Sequence, residues 1–430
     1  MVLIGGQSDD LAGLVQPVTS LLGGREDLVT GVFQGLKVID SATFVAGPSA
    51  AVILADFGAD VVKVEPVGAG DPQRVLGRLP NLPKADHNYA WTIAARSKRA
   101  LGVDLKNETG RTILRQLVRS ADVFITNQSP ASRSRLGISY EQLSQINPRL
   151  VYAALTGYGE TGPEAERPGF DAHAYWARSG LADNVRPDGE SPPASPTLGM
   201  GDQPTAVTLY AGIVTALLHR ERTGLGSCVT TSLLANGVWS NAASIQAVLC
   251  GGEIQYRLPR KATRNALTCF YRCADDRWFM ISLVQEERDW PRFCKAIGRS
   301  ALIEDPRFSV LATRRANAAE LVANLDELFA TRASSDWQRI FQAADLTAAI
   351  VAKAGDLVGD DQMYHAGALV EAEWMPGHGA IVDSPFRISG VTKRPPNPAP
   401  ELGQHSGQIL EELGYSDEDI ACLKESGVVR

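Results

Sequence analysis

Between Leu36 and Gly159 the chain alternates short β-rich apolar runs with helical stretches, and this rhythm restricts the fold more than any other feature. LKVIDS (36–41) has strand length and branched apolar residues. AGPSAAVILADFG (46–58) opens on Gly-Pro and continues as an apolar helical stripe. ADVVKVE (59–65) is a second strand. Two strands joined by a helix form a right-handed βαβ unit with a parallel sheet. The rhythm continues through ALGVDL (100–105), a helix over 108–119, DVFITN (122–127), helices near 130–147 and LVYAALTGYG (150–159). It predicts an α/β fold, a doubly wound, Rossmann-like domain.

Ligands in such sheets bind beyond the carboxyl ends of the strands. Those ends are Ser41–Gly47, Glu65–Gly70, Asp104–Lys106, Asn127–Pro130 and Thr156–Gly162. No helix here opens with G-x-G-x-x-G or G-x-x-x-x-G-K-[ST], so neither a dinucleotide nor a P-loop nucleotide is supported.

LGMGDQPTAVTLYAGIVTALLHRERTGLG (198–226) reads as a glycine-flanked turn, one acidic residue and a helix covered on most sides. Pro204 belongs in a first turn, which starts the helix near Gln203 with Asp202 at or beside the N-cap. His219, Arg220 and Arg222 suit the last turn, and Gly224 supplies a left-handed stop. Spacing alone leaves Asp202 open to two readings, an ordinary cap or a chemical group.

At 430 residues the chain exceeds the usual ceiling for one core. We expect an extension over 1–34 with one short helix around Leu11–Leu22, and the first part of the large domain over 35–225. A linker and smaller α/β domain follow over 226–345, and 346–430 returns to the large domain. Within these, 163–200 reads as a long loop, 227–265 as helical before a basic loop Arg257–Arg264, and 270–284 as a hairpin. Helices are expected at 286–297, 312–331, 336–345, 406–414 and 416–425. The net charge of −7 argues against nucleic acid and asks for a local basic site if the ligand is anionic. Six cysteines without a C-x-x-C pair and six scattered histidines give neither a disulfide framework nor a metal site. No apolar run has membrane-span length, and the first residues lack a positive n-region, so a cytoplasmic protein is expected.

A set of short motifs in fixed order carries a resemblance. They are G-L-K-V-I-D…A-G-P (35–48), L-A-D-F-G-A-D-V-V-K-V-E (54–65), K-R-A-L-G-V-D-L-K (98–106), A-D-V-F-I-T-N (121–127), R-L-G (135–137), N-P-R-L-V-Y (147–152), T-G-Y-G-x-x-G-P (156–163), R-P-G-F-D (167–171), M-G-D (200–202) and P-A-P-x-L-G-Q-H (398–405). In these the chain resembles the family III CoA-transferases, whose wider group includes acyl-CoA racemases. The resemblance implies a Rossmann-like domain built from both chain ends, a smaller domain between them, and an interlocked dimer of two ring-like subunits.

It also implies transfer of CoA from an acyl-CoA to a free carboxylic acid through a covalent aspartyl intermediate, with Asp202 as the catalytic aspartate. CoA or acyl-CoA is then a substrate, with no permanently bound cofactor. The positive end of the helix would favour the ionised carboxylate, and nearby glycine N–H groups would meet a developing oxyanion. CoA recognition carries over to Val45, Ala46, Val103, Lys106, Asn127, Gln128 and Arg135, with Phe170 and Asp171 facing the same pocket. Lys106 and Arg135 are the cations assigned to the CoA phosphates.

Two departures narrow the reading. The racemases carry a histidine where this chain has Phe170, and proton exchange needs an acid–base on each face of the substrate. Formyl-CoA transferases carry a glutamine at Val45 and a glycine-rich loop where this chain has Arg260–Asn265. The basic residues Arg257, Arg260, Lys261 and Arg264 either help bind an acyl carboxylate or form a solvated loop. Racemisation, with His173 or another group in the missing role, and acyl-CoA binding without turnover are the rival readings.

Overall fold

The computed structural model describes residues 29–80 and 82–430; the helix expected near Leu11–Leu22 lies outside them. Six strands form one sheet: β1 (Lys37–Asp40), β2 (Asp60–Glu65), β3 (Arg99–Gly102), β4 (Val123–Thr126), β5 (Val151–Thr156) and β6 (Ser227–Ser232). All five pairings are parallel and the order is β3-β2-β1-β4-β5-β6. This is the Rossmann strand order, with its switch point between β1 and β4.

Both faces of the sheet are covered, as a fully parallel sheet requires. Alternate residues of one strand serve opposite cores. Val38 and Val61 pack with helix α1 (Ala46–Asp56), while Ile39, Val62 and Val64 pack with helix α2 (Glu108–Ser120). The chain's end belongs to the second of these cores through Ile409, Leu410, Ile420 and Val429. Arg430 N–H donates to Gly102 O at 3.0 Å, which ties the last residue to β3. The large α/β core is therefore assembled from both ends of the described chain.

A separate core lies around the antiparallel strands β7 (Phe270–Arg272), β8 (Trp278–Ile281) and β9 (Ala348–Ile350). Phe329 is its hub, with ring centroids 4.8 Å from Tyr271 and 4.7 Å from Trp337.

Three local expectations change. SCVTTS is strand β6, not helix, and lies beyond the boundary expected at 225/226. Its alternation of part-buried and exposed residues is that of an edge strand, and pairing with β5 decides its state. Ala348–Ile350, expected within the return to the large domain, instead completes the small sheet. The stretch 163–200 is no plain loop: Ala172–Ala177 and Leu181–Asn184 are helical, and Ala174, Tyr175 and Trp176 are buried in the large core. Its glycines and prolines sit at the ends of these turns, so composition hides them.

Candidate active site

A cavity of about 860 Å³ opens beyond the carboxyl ends of β1, β4 and β5, at the switch point. Its walls are Thr43–Ala46 after β1, Asn127–Ser129 after β4, Leu155–Gly157 at the end of β5, the segment 165–172, and Leu198, Gly199 and Asp202. Asn127 joins the first two walls. Its Oδ1 accepts Thr43 N–H at 2.8 Å and its Nδ2 donates to Thr43 O at 2.7 Å. One amide thus satisfies the backbone of the neighbouring loop in both directions.

Helix α3 (Asp202–Thr223) delivers the acid. It buries one stripe, from Thr205 and Ala206 through Leu209, Ile213 and Ala216 to Arg220, and leaves Leu218 exposed, so it is less covered than its apolar sequence implies. Gly224 stops it at φ 77°, as expected. Gly201 is the N-cap and Asp202 the first helical residue, and no side chain caps the helix. The carboxylate of Asp202 is therefore not used as a cap.

That carboxylate is mostly buried, and burial followed by the nearby Asp171 pushes its pKa up to about 7. Asp171 is itself raised by burial, against the lowering effect of two backbone donors. Those donors are Gly201 N–H at 2.9 Å and Asp202 N–H at 3.4 Å, both to Asp171 Oδ2. The field of the helix end does not by itself hold Asp202 ionised, because desolvation and a like charge oppose it. Gly201 N–H is engaged by Asp171, so that flanking glycine is not a free oxyanion donor.

Seven of the ten residues assigned from the sequence line this one cavity: Val45, Ala46, Asn127, Gln128, Phe170, Asp171 and Asp202. Three do not. Val103 is sealed in the core, where it bridges to Val429; Lys106 and Arg135 are exposed outside the cavity, Arg135 donating to Ser132 Oγ at 3.2 Å. His173 is exposed and is not part of the lining. None of Arg257, Arg260, Lys261 and Arg264 lines it either, and Arg260 is held by Asp326 and the Phe270 carbonyl.

Other residues line the cavity without being marked by the sequence. Phe44 packs edge-to-face on Phe170 with centroids 5.4 Å apart. Leu76, Leu79, Leu82 and Leu198 extend this apolar wall. Arg167, the one basic side chain in the lining among the described residues, pairs with Glu164 and stands over the Tyr158 ring at 5.0 Å. Phe44 lies inside the strand-end loop Ser41–Gly47 and Arg167 in R-P-G-F-D, so position marked them; residue type did not. Among the described residues no cluster of three metal-ligating side chains occurs, and no helix is long and apolar enough to cross a membrane.

Residues 33–406 match the model of CoA-transferase family III. The chain belongs to this family. It is similar to the (R)-2-hydroxy-4-methylpentanoate CoA-transferase of Clostridioides difficile, with 33% identity over 93% of this chain and 100% of the relative. The cinnamoyl-CoA:phenyllactate CoA-transferase of Clostridium sporogenes is 31% identical over 92% of this chain and 97% of its own length. Among solved structures, a CaiB/BaiF family protein from Brucella suis superposes with a TM-score of 0.80. Its identity is 28%, over 89% of this chain and 100% of that one. The family III CoA-transferase thus acts on CoA thioesters, and its transferase relatives give no support to the racemase alternative.

Proposed function

We propose that this family III CoA-transferase moves CoA between two carboxylic acids through Asp202. The observation that carries the reading is a mostly buried carboxylate, not used as a cap, at the start of α3 inside the switch-point cavity. In the donor half, the Asp202 carboxylate attacks the thioester carbonyl; the C–S bond breaks, leaving a mixed anhydride and CoA thiolate. The thiolate then attacks the aspartyl carbonyl, freeing the donor as its carboxylate and leaving an aspartyl-CoA thioester. In the acceptor half, the incoming carboxylate displaces the thiolate to give a second anhydride. Thiolate attack on the acceptor carbonyl yields the new acyl-CoA and restores Asp202. A carboxylate is a weak nucleophile, so alignment and exclusion of water supply most of the advantage.

The CoA assignments divide by position. Val45, Ala46, Asn127, Gln128, Phe170 and Asp171 stand where the reacting end of CoA would enter. Lys106 and Arg135 suit the phosphates, which lie at the far end of a long molecule. Val103 acts by backing the loop that carries Lys106. The names of these two relatives specify (R)-2-hydroxy-4-methylpentanoate, and cinnamoyl-CoA with phenyllactate, all acyl groups with an apolar end. The wall of Phe44, Phe170, Leu76, Leu79 and Leu198 suits an acyl group of that kind better than a small dicarboxylate.

The subunit is assigned to an interlocked homodimer. Supporting this, Trp239 is 81% exposed and Leu249 74% exposed in the two helices that follow β6. Large apolar side chains of this kind are what a subunit interface would cover.

The test of the chemistry is trapping. Incubation with an acyl-CoA and hydroxylamine or borohydride should place a mass change on the peptide containing Asp202, and Asp202→Ala should abolish both the adduct and transfer. Full transfer activity in Asp202→Ala would overturn the reading.

A further inference from the structure

Beneath the cavity floor, four ionisable side chains are wholly buried: Asp40 at the end of β1, Lys63 in β2, Asp71 after it, and Lys98 just before β3. Lys63 Nζ lies 2.8 Å from Asp71 Oδ2 and 3.8 Å from Asp40 Oδ2, and Lys98 Nζ lies 2.7 Å from Asp40 Oδ2. Lys98 also donates to Pro48 O at 2.7 Å and Ala94 O at 2.6 Å. None of the four lines the cavity. Burying such a cluster is costly, and well-packed apolar side chains often serve stability as well or better. Its contacts point to another role.

Three of its members grip the backbone between β1 and α1. Asp40 Oδ1 accepts Ala42 N–H at 3.1 Å, Lys63 Nζ donates to Ala42 O, and Asp71 Oδ1 accepts Phe44 N–H at 3.0 Å. Asp71 is anchored in turn, since its own N–H donates to Glu65 Oε2 at 2.9 Å and Glu65 is clamped by Arg74 at 2.7 Å. The residue they hold is unusual. Phe44 has φ 64°, in the left-handed region that a bulky side chain avoids. Left-handed backbone at 44 sets the path of Val45 and Ala46 into the cavity and directs the Phe44 ring onto Phe170.

We propose that Lys63 and Asp71 are positioning residues for CoA: their buried ion pair holds Phe44 left-handed and so builds the cavity wall from Phe44 to Ala46. The inference rests on the reading of this cavity as the CoA site, and it is independent of whether Asp202 is the nucleophile.

The test is a double-mutant cycle on CoA affinity, measured by titration calorimetry with CoA itself. Glycine adopts positive φ without steric cost, so Phe44→Gly removes the need for the clamp. Lys63→Met should weaken CoA binding at least ~10-fold in the otherwise native protein and no more than ~2-fold in the Phe44→Gly background. Equal losses in the two backgrounds, or no loss in Lys63→Met alone, would overturn the proposal. A merely structural role lowers the melting temperature in both backgrounds alike and gives no such coupling. Should Lys63→Met fail to fold, Asp71→Asn takes its place in the same cycle, because it keeps an acceptor for Phe44 N–H while discharging the pair. If Asp202→Ala retained full transfer, the nucleophile assignment would fall while the CoA cycle still decided this inference.

Discussion

Asp171 accepts the backbone N–H of Asp202 through the same oxygen that accepts the N–H of Gly201, at 3.4 Å and 2.9 Å. It therefore fixes the start of α3 while placing a second carboxyl beside the one assigned to catalysis. Positioning and electrostatics come from one side chain.

Because Asp202 is raised to about 7, chiefly by burial, kcat/KM should lose its nucleophile below neutrality and show an acid limb near pH 7. The same shift acts on stability. Between the unfolded value and about 7 the folded state holds more protons than the unfolded one, so stability falls as pH rises through that window and is flat above it. Asp202→Asn should therefore be more stable than the native protein by about 1–2 kcal/mol at pH 8, the partly solvated carboxyl giving less than its full shift. The gain should vanish near pH 4. Urea melts of both proteins at the two pH values decide this, and an equal difference at both would contradict it.

Asp171→Asn keeps an acceptor for the two N–H groups and removes the like charge. The acid limb of kcat/KM should move to lower pH by about one unit or less, since burial, which remains, is the larger cause. An unmoved limb would show that Asp171 does not act on Asp202 through charge.

Gly201 has no room for a side chain. A Cβ there would collide with the Tyr175 ring and stand 2.6 Å from Asp171 Oδ1. Gly201→Ala should cost about 1–3 kcal/mol of stability and reduce transfer at least ~10-fold, because the Asp171 contact is displaced. Native melting with full activity would mean that the turn relaxes freely.

Phe170 is 55% exposed, so its truncation removes little core. Phe170→Ala should leave the melting temperature nearly unchanged. It should lower kcat/KM about 3–10-fold through loss of the edge-to-face pair with Phe44 and of acyl contact. A large loss of stability with unchanged kinetics would instead make Phe170 a packing residue.

Legibility followed how local the information was. The first five strands and the 202–223 helix declare themselves through runs of apolar residues, because a doubly covered sheet buries both faces of each strand. The ordered motifs named the cavity's loops for the same reason: strand ends are fixed once strands are. SCVTTS does not declare itself, because an edge strand lacks a continuous apolar run and owes its state to its neighbour. The cation Arg167 and the wall residue Phe44 are not legible in the same way, because neither residue type announces a site.

A parallel α/β sheet, a helix starting beside Asp202 and the family can all be read along the chain, since they depend on periodicity and motif order. The chemical character of Asp202, by contrast, is set by folding. It begins the helix without capping it, and a residue 31 positions earlier, Asp171, joins burial in raising its pKa to about 7. Tertiary structure also decided that Phe44 adopts left-handed backbone, held by Asp71 from another strand end. Desolvation and clamping of this kind arise between segments distant in sequence, so no local pattern encodes them.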